Sequence, residues 1–152
     1  FTQGRRYVHQ MVLIGFLLCL ASTSVATVMH YLLDMPAPYS LLSPPKLLGV
    51  VGGLMLTVGT LAMMLMKGKG ARHLGDERVW NGEMGFVLLL FLVSTSGLAL
   101  YLFGNTGALP ALLVIHLGSV LAFFVLTPFT KMVHGFYRLA ALARDAQQKL
   151  AR

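Results

Sequence analysis

The sequence predicts an all-α integral membrane protein, a four-helix bundle with both termini on the cytoplasmic side. Three observations carry this. Of 152 residues, 57% are hydrophobic and 11% charged, with mean hydropathy +0.76, whereas soluble domains hold roughly a quarter of charged residues. Three long runs, residues 7–33, 47–66 and 84–130, contain no Asp, Glu, Lys or Arg. The twelve Lys and Arg sit between and beside these runs, and eleven of them fall on one face of the predicted bundle.

A bilayer core of about 30 Å takes about 20 residues of helix. The first two runs supply one span each, near 7–33 and 46–66. The third is long enough for two, near 80–103 and 109–136, with "GNTGALP" (Gly104 to Pro110) as the turn between them. The first run is too long and too weakly punctuated for a signal peptide. The connection Asp34 to Lys46 holds four of the six prolines, so it reads as an ordered outer cap, not helix. Residues 137–152 alternate apolar and charged residues at helical spacing, which predicts an interfacial helix or a cytoplasmic extension of the fourth span. The whole chain, 1–152, reads as one transmembrane domain. It opens on Phe1 rather than Met, so the expectation is either a fragment that starts after a soluble part or a stand-alone subunit.

Orientation follows from the cations. Arg5 and Arg6 precede the first span, Lys67, Lys69, Arg72 and Arg78 fill the second loop, and Lys131, Arg138, Arg144, Lys149 and Arg152 close the chain. Only Lys46 lies opposite, which places the crowded face in the cytoplasm. The net charge of +7 does not make a nucleic-acid surface, because no basic stripe is interleaved with exposed aromatics. Cys19 is the single cysteine, so neither a disulfide framework nor a cysteine-rich iron–sulfur motif is present in this sequence.

Four of the five histidines occupy spans: His9 and His30 on the first, His116 and His134 on the fourth. Ionisable groups in membrane helices are costly, and they tend to face the bundle interior and mark function. On a continuous helix the eighteen positions from His116 to His134 make five turns, about 27 Å on one face. His9 and His30 lie twenty-one apart, six turns at the roughly 3.5 residues per turn of a supercoiled bundle. Because the two spans run antiparallel, the expectation is an inner pair, His9 with His134, and an outer pair, His30 with His116. Two neutral imidazoles facing each other suit a porphyrin iron. Zinc would want two more ligands at each level. The expected cofactor is therefore haem b, two per chain, with one as the smaller alternative held by His30 and His116.

Other residues support this individually weakly. Gly15, Gly49, Gly52, Gly53, Gly97 and Gly118 offer room for a porphyrin face, though small-residue helix packing is the better explanation for most of them. Arg5, Arg6 and Lys131 are candidate propionate partners, with interfacial anchoring as the plain alternative. Pro128 is expected to bend the fourth span ahead of His134. His73 reads as a solvated loop residue. For a quinone, Tyr31, Asp34 and Tyr39 offer polar groups at the outer level, and Glu83 and Lys131 at the inner.

The segments "RRYVHQMVLIGFLLCLASTSVATVMHYL", "PAPY" and "HLGSVLAFFVLTPFTKMVHGFYR" resemble the membrane domain of the TcuB-type tricarballylate/citrate utilisation protein B family, and the related membrane region of CobZ-like flavohaemoproteins. A more distant similarity is to the cytochrome b (gamma) subunits of respiratory nitrate reductases. The first resemblance runs from about Arg5 to Arg138. It implies a cytochrome b domain of the bacterial inner membrane, passing electrons between a cytoplasmic flavoprotein or iron–sulfur partner and the quinone pool. Relatives of that type carry iron–sulfur cysteines ahead of the membrane part, which this sequence lacks. The competing expectation is a haem-free membrane anchor or assembly subunit of a larger complex. A small proton-coupled carrier is the weakest, since the three uncharged runs hold no carboxylate.

Overall fold

The computed structural model describes residues 2–40, 42–68, 77–130 and 133–150, with the side chains of all these except 2, 68, 77–81 and 134. Among them the fold is all helical: α1 (Thr2–Tyr31), α2 (Pro44–Gly68), α3 (Glu77–Phe103), α4 (Leu109–Leu126), a 3-10 turn (Thr127–Phe129) and α5 (His134–Leu150). The first four helices are long and apolar enough to cross a membrane, as a multi-pass protein requires. They pack in chain order, α1 on α2, α2 on α3, α3 on α4. Each neighbouring pair is antiparallel. Gly15 meets Leu56 while Gly59 meets Val12, and Lys67 pairs with Glu83 while Thr57 bonds Ser94. The ring closes where Phe16 of α1 meets Phe123 of α4, centroids 5.5 Å apart. One end of the bundle, here the basal end, holds the start of α1 and the end of α4. The other, the cap end, holds residues 32–40, 42–43 and 104–108.

Local chemistry sets the helix ends. α1 stops where Asp34 takes a left-handed backbone (φ 51°) and the Met35 N–H turns back to the Met29 carbonyl at 3.0 Å. This ends the helix two residues before the predicted 33. Pro44 and Pro45 open α2, where their missing N–H groups cost nothing, and the Leu47 N–H bonds the Ser43 carbonyl. The cap is pinned to the bundle by the Tyr39 hydroxyl, which donates to the Ala26 carbonyl at 3.1 Å.

The fourth span departs from expectation. A continuous helix over 109–136 is not what forms, because α4 ends at Leu126. Pro128 has no N–H to continue the ladder and its ring clashes with the carbonyl four residues back. The chain tightens into the 3-10 turn, and Thr130 is extended (φ −112°, ψ 170°). His134 opens α5 instead of ending α4, so the shared helical face inferred from its eighteen-residue spacing to His116 does not exist.

Close approach of α1 and α2 depends on glycine. A Cβ at Gly52 would stand 2.8 Å from Leu18 Cβ and 2.9 Å from both the Cys19 nitrogen and the Gly15 carbonyl oxygen. In lipid, where apolar surface gives no drive between helices, such backbone proximity is the main attraction. Most intramembrane hydroxyls bond carbonyls of their own helix, as Thr27 does to Thr23 at 2.8 Å and Ser119 to Ile115 at 2.6 Å, so few polar groups face lipid bare.

Candidate functional site

Two cavities open between the helices, one in each half of the bundle. The basal cavity, about 990 Å³, is bounded by all four spans and lined by His9, Thr60, Met63, Lys67, Glu83 and Phe129 among others. The cap cavity, about 320 Å³, is lined by Ser22, Lys46, Gly53, Gly97, His116 and Phe123 among others. A cluster of rings lies between them: Phe123 contacts Phe16, Phe86 and Phe124 at centroid distances of 5.5, 5.6 and 5.4 Å. Each cavity therefore has one histidine in its wall. His9 and His116 both stand seven residues from the Phe16–Phe123 contact, in opposite directions, about 10 Å to either side along the bundle axis.

His116 is the better held of the two. Its Nδ1 lies 3.0 Å from the Ser96 hydroxyl, and that hydroxyl is 3.2 Å from the Val93 carbonyl. With the hydroxyl hydrogen on the carbonyl, the oxygen accepts from Nδ1–H, which leaves Nε2 as a bare lone pair. The ring lies against Gly97, where a Cβ would come 3.0 Å from its Cε1. An alanine at 97 would push the imidazole off its present seat. Ser96→Ala would strand Nδ1 in a half-buried site, so a loss of about 1–3 kcal/mol is expected. Thermal unfolding in detergent checks this against Thr95→Ala, whose hydroxyl bonds only its own helix. Equal stability of the two variants would remove Ser96 from the account.

His9 is exposed and lines the basal cavity. At the rim of that cavity the Lys67 ammonium and the Glu83 carboxylate form a half-buried ion pair joining α2 to α3. The expected partners of the two cavity histidines are placed differently. His134 is the first residue of α5, four positions beyond Thr130, which lines the basal cavity; its side chain lies outside the described residues. His30 is exposed, sits edge-on to Tyr31 with centroids 4.7 Å apart, and does not line the cap cavity. Counted from the Phe16–Phe123 contact it is fourteen residues along α1, about 10 Å further toward the cap than His116. The structure thus does not bring His30 to His116. Equal depth was inferred from span ends taken as level, whereas His116 is the eighth residue of α4 and His30 the last but one of α1.

Among the described residues no three His, Cys, Asp or Glu side chains gather as a metal site. The quinone candidates are dispersed: Glu83 is paired, Tyr39 is committed to Ala26, and Tyr31 and Asp34 are exposed. Lys131 and His73 lie outside the described residues. Of the six glycines, Gly15, Gly49 and Gly52 pack α1 on α2, Gly53 takes Leu98, Gly97 takes the His116 ring, and Gly118 meets nothing within 4 Å.

Sequence reasoning missed Ser96, although a signal was there. In two antiparallel helices joined by a short turn, partners lie at equal distances from its centre. Positions 96 and 116 are each ten residues from Thr106, the centre of the turn over 104–108. The Lys67–Glu83 pair was open to the same treatment only through a loop too long to give a centre.

A profile of citrate utilization protein B matches residues 1–152, the full length of the chain. The chain belongs to the citrate utilization protein B family. A citrate utilization protein B from Escherichia coli is 42% identical over 149 residues, which cover 98% of this chain and 39% of that protein. The chain thus spans about two-fifths of its relative's length. No solved structure matches it.

Proposed function

We propose that this domain is a membrane cytochrome b unit that carries electrons between a cytoplasmic flavin or iron–sulfur partner and the quinone pool. One observation carries the reading: two separate cavities inside an apolar bundle, each with an imidazole in its wall and a cluster of phenylalanines between them. Haem b, when bound, supplies a one-electron iron couple; the protein's part is ligation, orientation and exclusion of water.

The residues fit that group unequally. The basal cavity is about three times the volume of the other, reaches all four spans and has His9 in its wall. His134, the first residue of α5, is the expected second ligand of this level. At the cap level His116 has its Nδ1 bonded, which leaves Nε2 for the iron, and among the described residues Lys46 is the cation that lines the cavity, its Nζ 5.8 Å from the Tyr101 ring centre. His30 is its expected partner and must come down toward the cavity from the end of α1. A single-haem form of the reading therefore belongs at the basal level, the reverse of what spacing alone suggests.

With the basal end in the cytoplasm, as the cations direct, the larger site faces the soluble partner. The relative's name ties it to citrate utilization. In this reading the domain's share of such a process is electron transport through the bacterial inner membrane, and the organic acid is handled by the partner. A reduced benzoquinone analogue added to the protein in vesicles is expected to raise the b-haem bands in the absorption spectrum. Bands that respond to dithionite but never to the quinol would sink the quinone half of the proposal. A protein without haem would leave the anchor reading in its place.

A further inference from the structure

We infer that α5 lies flat on an anionic lipid surface at the basal end of the bundle, its apolar side in the headgroup region. Among the described residues no other element packs substantially on this helix. Phe136, Leu139, Leu142 and Leu150 are 71, 68, 61 and 89% exposed, and α5 has no substantial packing against the four spans. At about 100° per residue these four side chains share one side with Ala143 and Ala146. Arg138 and Lys149 flank one edge of that side and Arg144 the other, so each ammonium or guanidinium reaches headgroup level from a partly immersed helix. Asp145 is the only acidic residue of the helix and is bonded by Lys149 at 2.7 Å. The helix carries a net positive charge beside its apolar side, as binding to anionic lipid requires.

The break before α5 frees its direction. Thr130 is extended after the 3-10 turn, so α5 does not inherit the axis of α4. It begins five residues after Phe129, where the fourth candidate span ends, and the membrane surface is therefore within reach by covalent connection. Projection straight into water would leave all four large apolar side chains wet. Lying in the surface buries them and keeps the cations hydrated.

Leu139 and Gln148 are nine positions apart, on opposite sides of the helix. In the intact protein with Cys19→Ala, single cysteines are placed by Leu139→Cys or Gln148→Cys. A membrane-impermeant maleimide is then applied to the basal face in vesicles of phosphatidylglycerol with phosphatidylcholine. The cysteine at 139 is expected to react about tenfold or more slowly than that at 148. In pure phosphatidylcholine, or with Arg138→Gln, Arg144→Gln and Lys149→Gln combined, the difference should shrink several-fold. Equal rates in the anionic vesicles would overturn the inference by showing a helix projecting into water. Protection at 139 that ignores both lipid charge and the triple substitution would overturn the anionic surface as the partner.

Discussion

Gly52→Leu is expected to abolish the pairing of α1 with α2 and, with it, a stably folded bundle. The first atom of any side chain at 52 already meets Leu18 Cβ, the Cys19 nitrogen and the Gly15 carbonyl oxygen below 3.0 Å. Two of those three are backbone atoms, which cannot swing aside as a side-chain tip would. The helices must part, and the contacts of Gly15 with Leu56 and of Gly59 with Val12 part with them. Overpacking of this kind costs about 1–3 kcal/mol for a small addition and more for an isobutyl group. Alanine is a better helix former than glycine by about 1 kcal/mol, so Gly52→Ala tests which effect wins. Clash with backbone should win, and Gly52→Ala is expected to lower Tm. Gly118→Ala, with nothing within 4 Å of its Cβ position, should hold or raise it. Circular dichroism melts of the purified protein decide. Parental stability in Gly52→Leu would mean that the α1–α2 packing is not as described.

His9→Ala and His116→Ala are expected to remove different haems, each about half of the total in a two-haem protein. His9 and His116 line separate cavities on either side of the phenylalanine cluster, so loss at one level leaves the other's ligand in place. His134→Ala should reproduce His9→Ala. His30→Ala is the sharper case, because the structure leaves that ring outside the cap cavity. It should match His116→Ala if the end of α1 moves in on haem binding. An unchanged spectrum would show instead that another group, or none, faces His116. Identical losses from His9→Ala and His116→Ala would contradict two independent levels.

Composition and charge placement were enough to read four spans and their order, because lipid imposes one solution on a long uncharged run. α2, α3 and the start of α4 fall within about three residues of where charge and turn residues put them. The Pro128 break was legible as a bend but not as an end, since proline kinks many membrane helices without stopping them. The candidate site was half legible. Intramembrane histidines stand out by cost, and two of the four do line cavities. Depth matching failed for His30 because counting residues gives distance along a helix, not where the neighbouring helix begins. Ser96 and Gly97 were hidden for a different reason: their roles come from packing against α4, and alone they look like any small residues of a membrane helix.

The haem content of the purified protein tests the central claim most directly. A reduced-minus-oxidised spectrum, with the pyridine haemochrome measured on the same sample, should show low-spin b-haem bands and two haems per chain. No haem in protein isolated from haem-replete cells, with the bundle intact by circular dichroism, would contradict it.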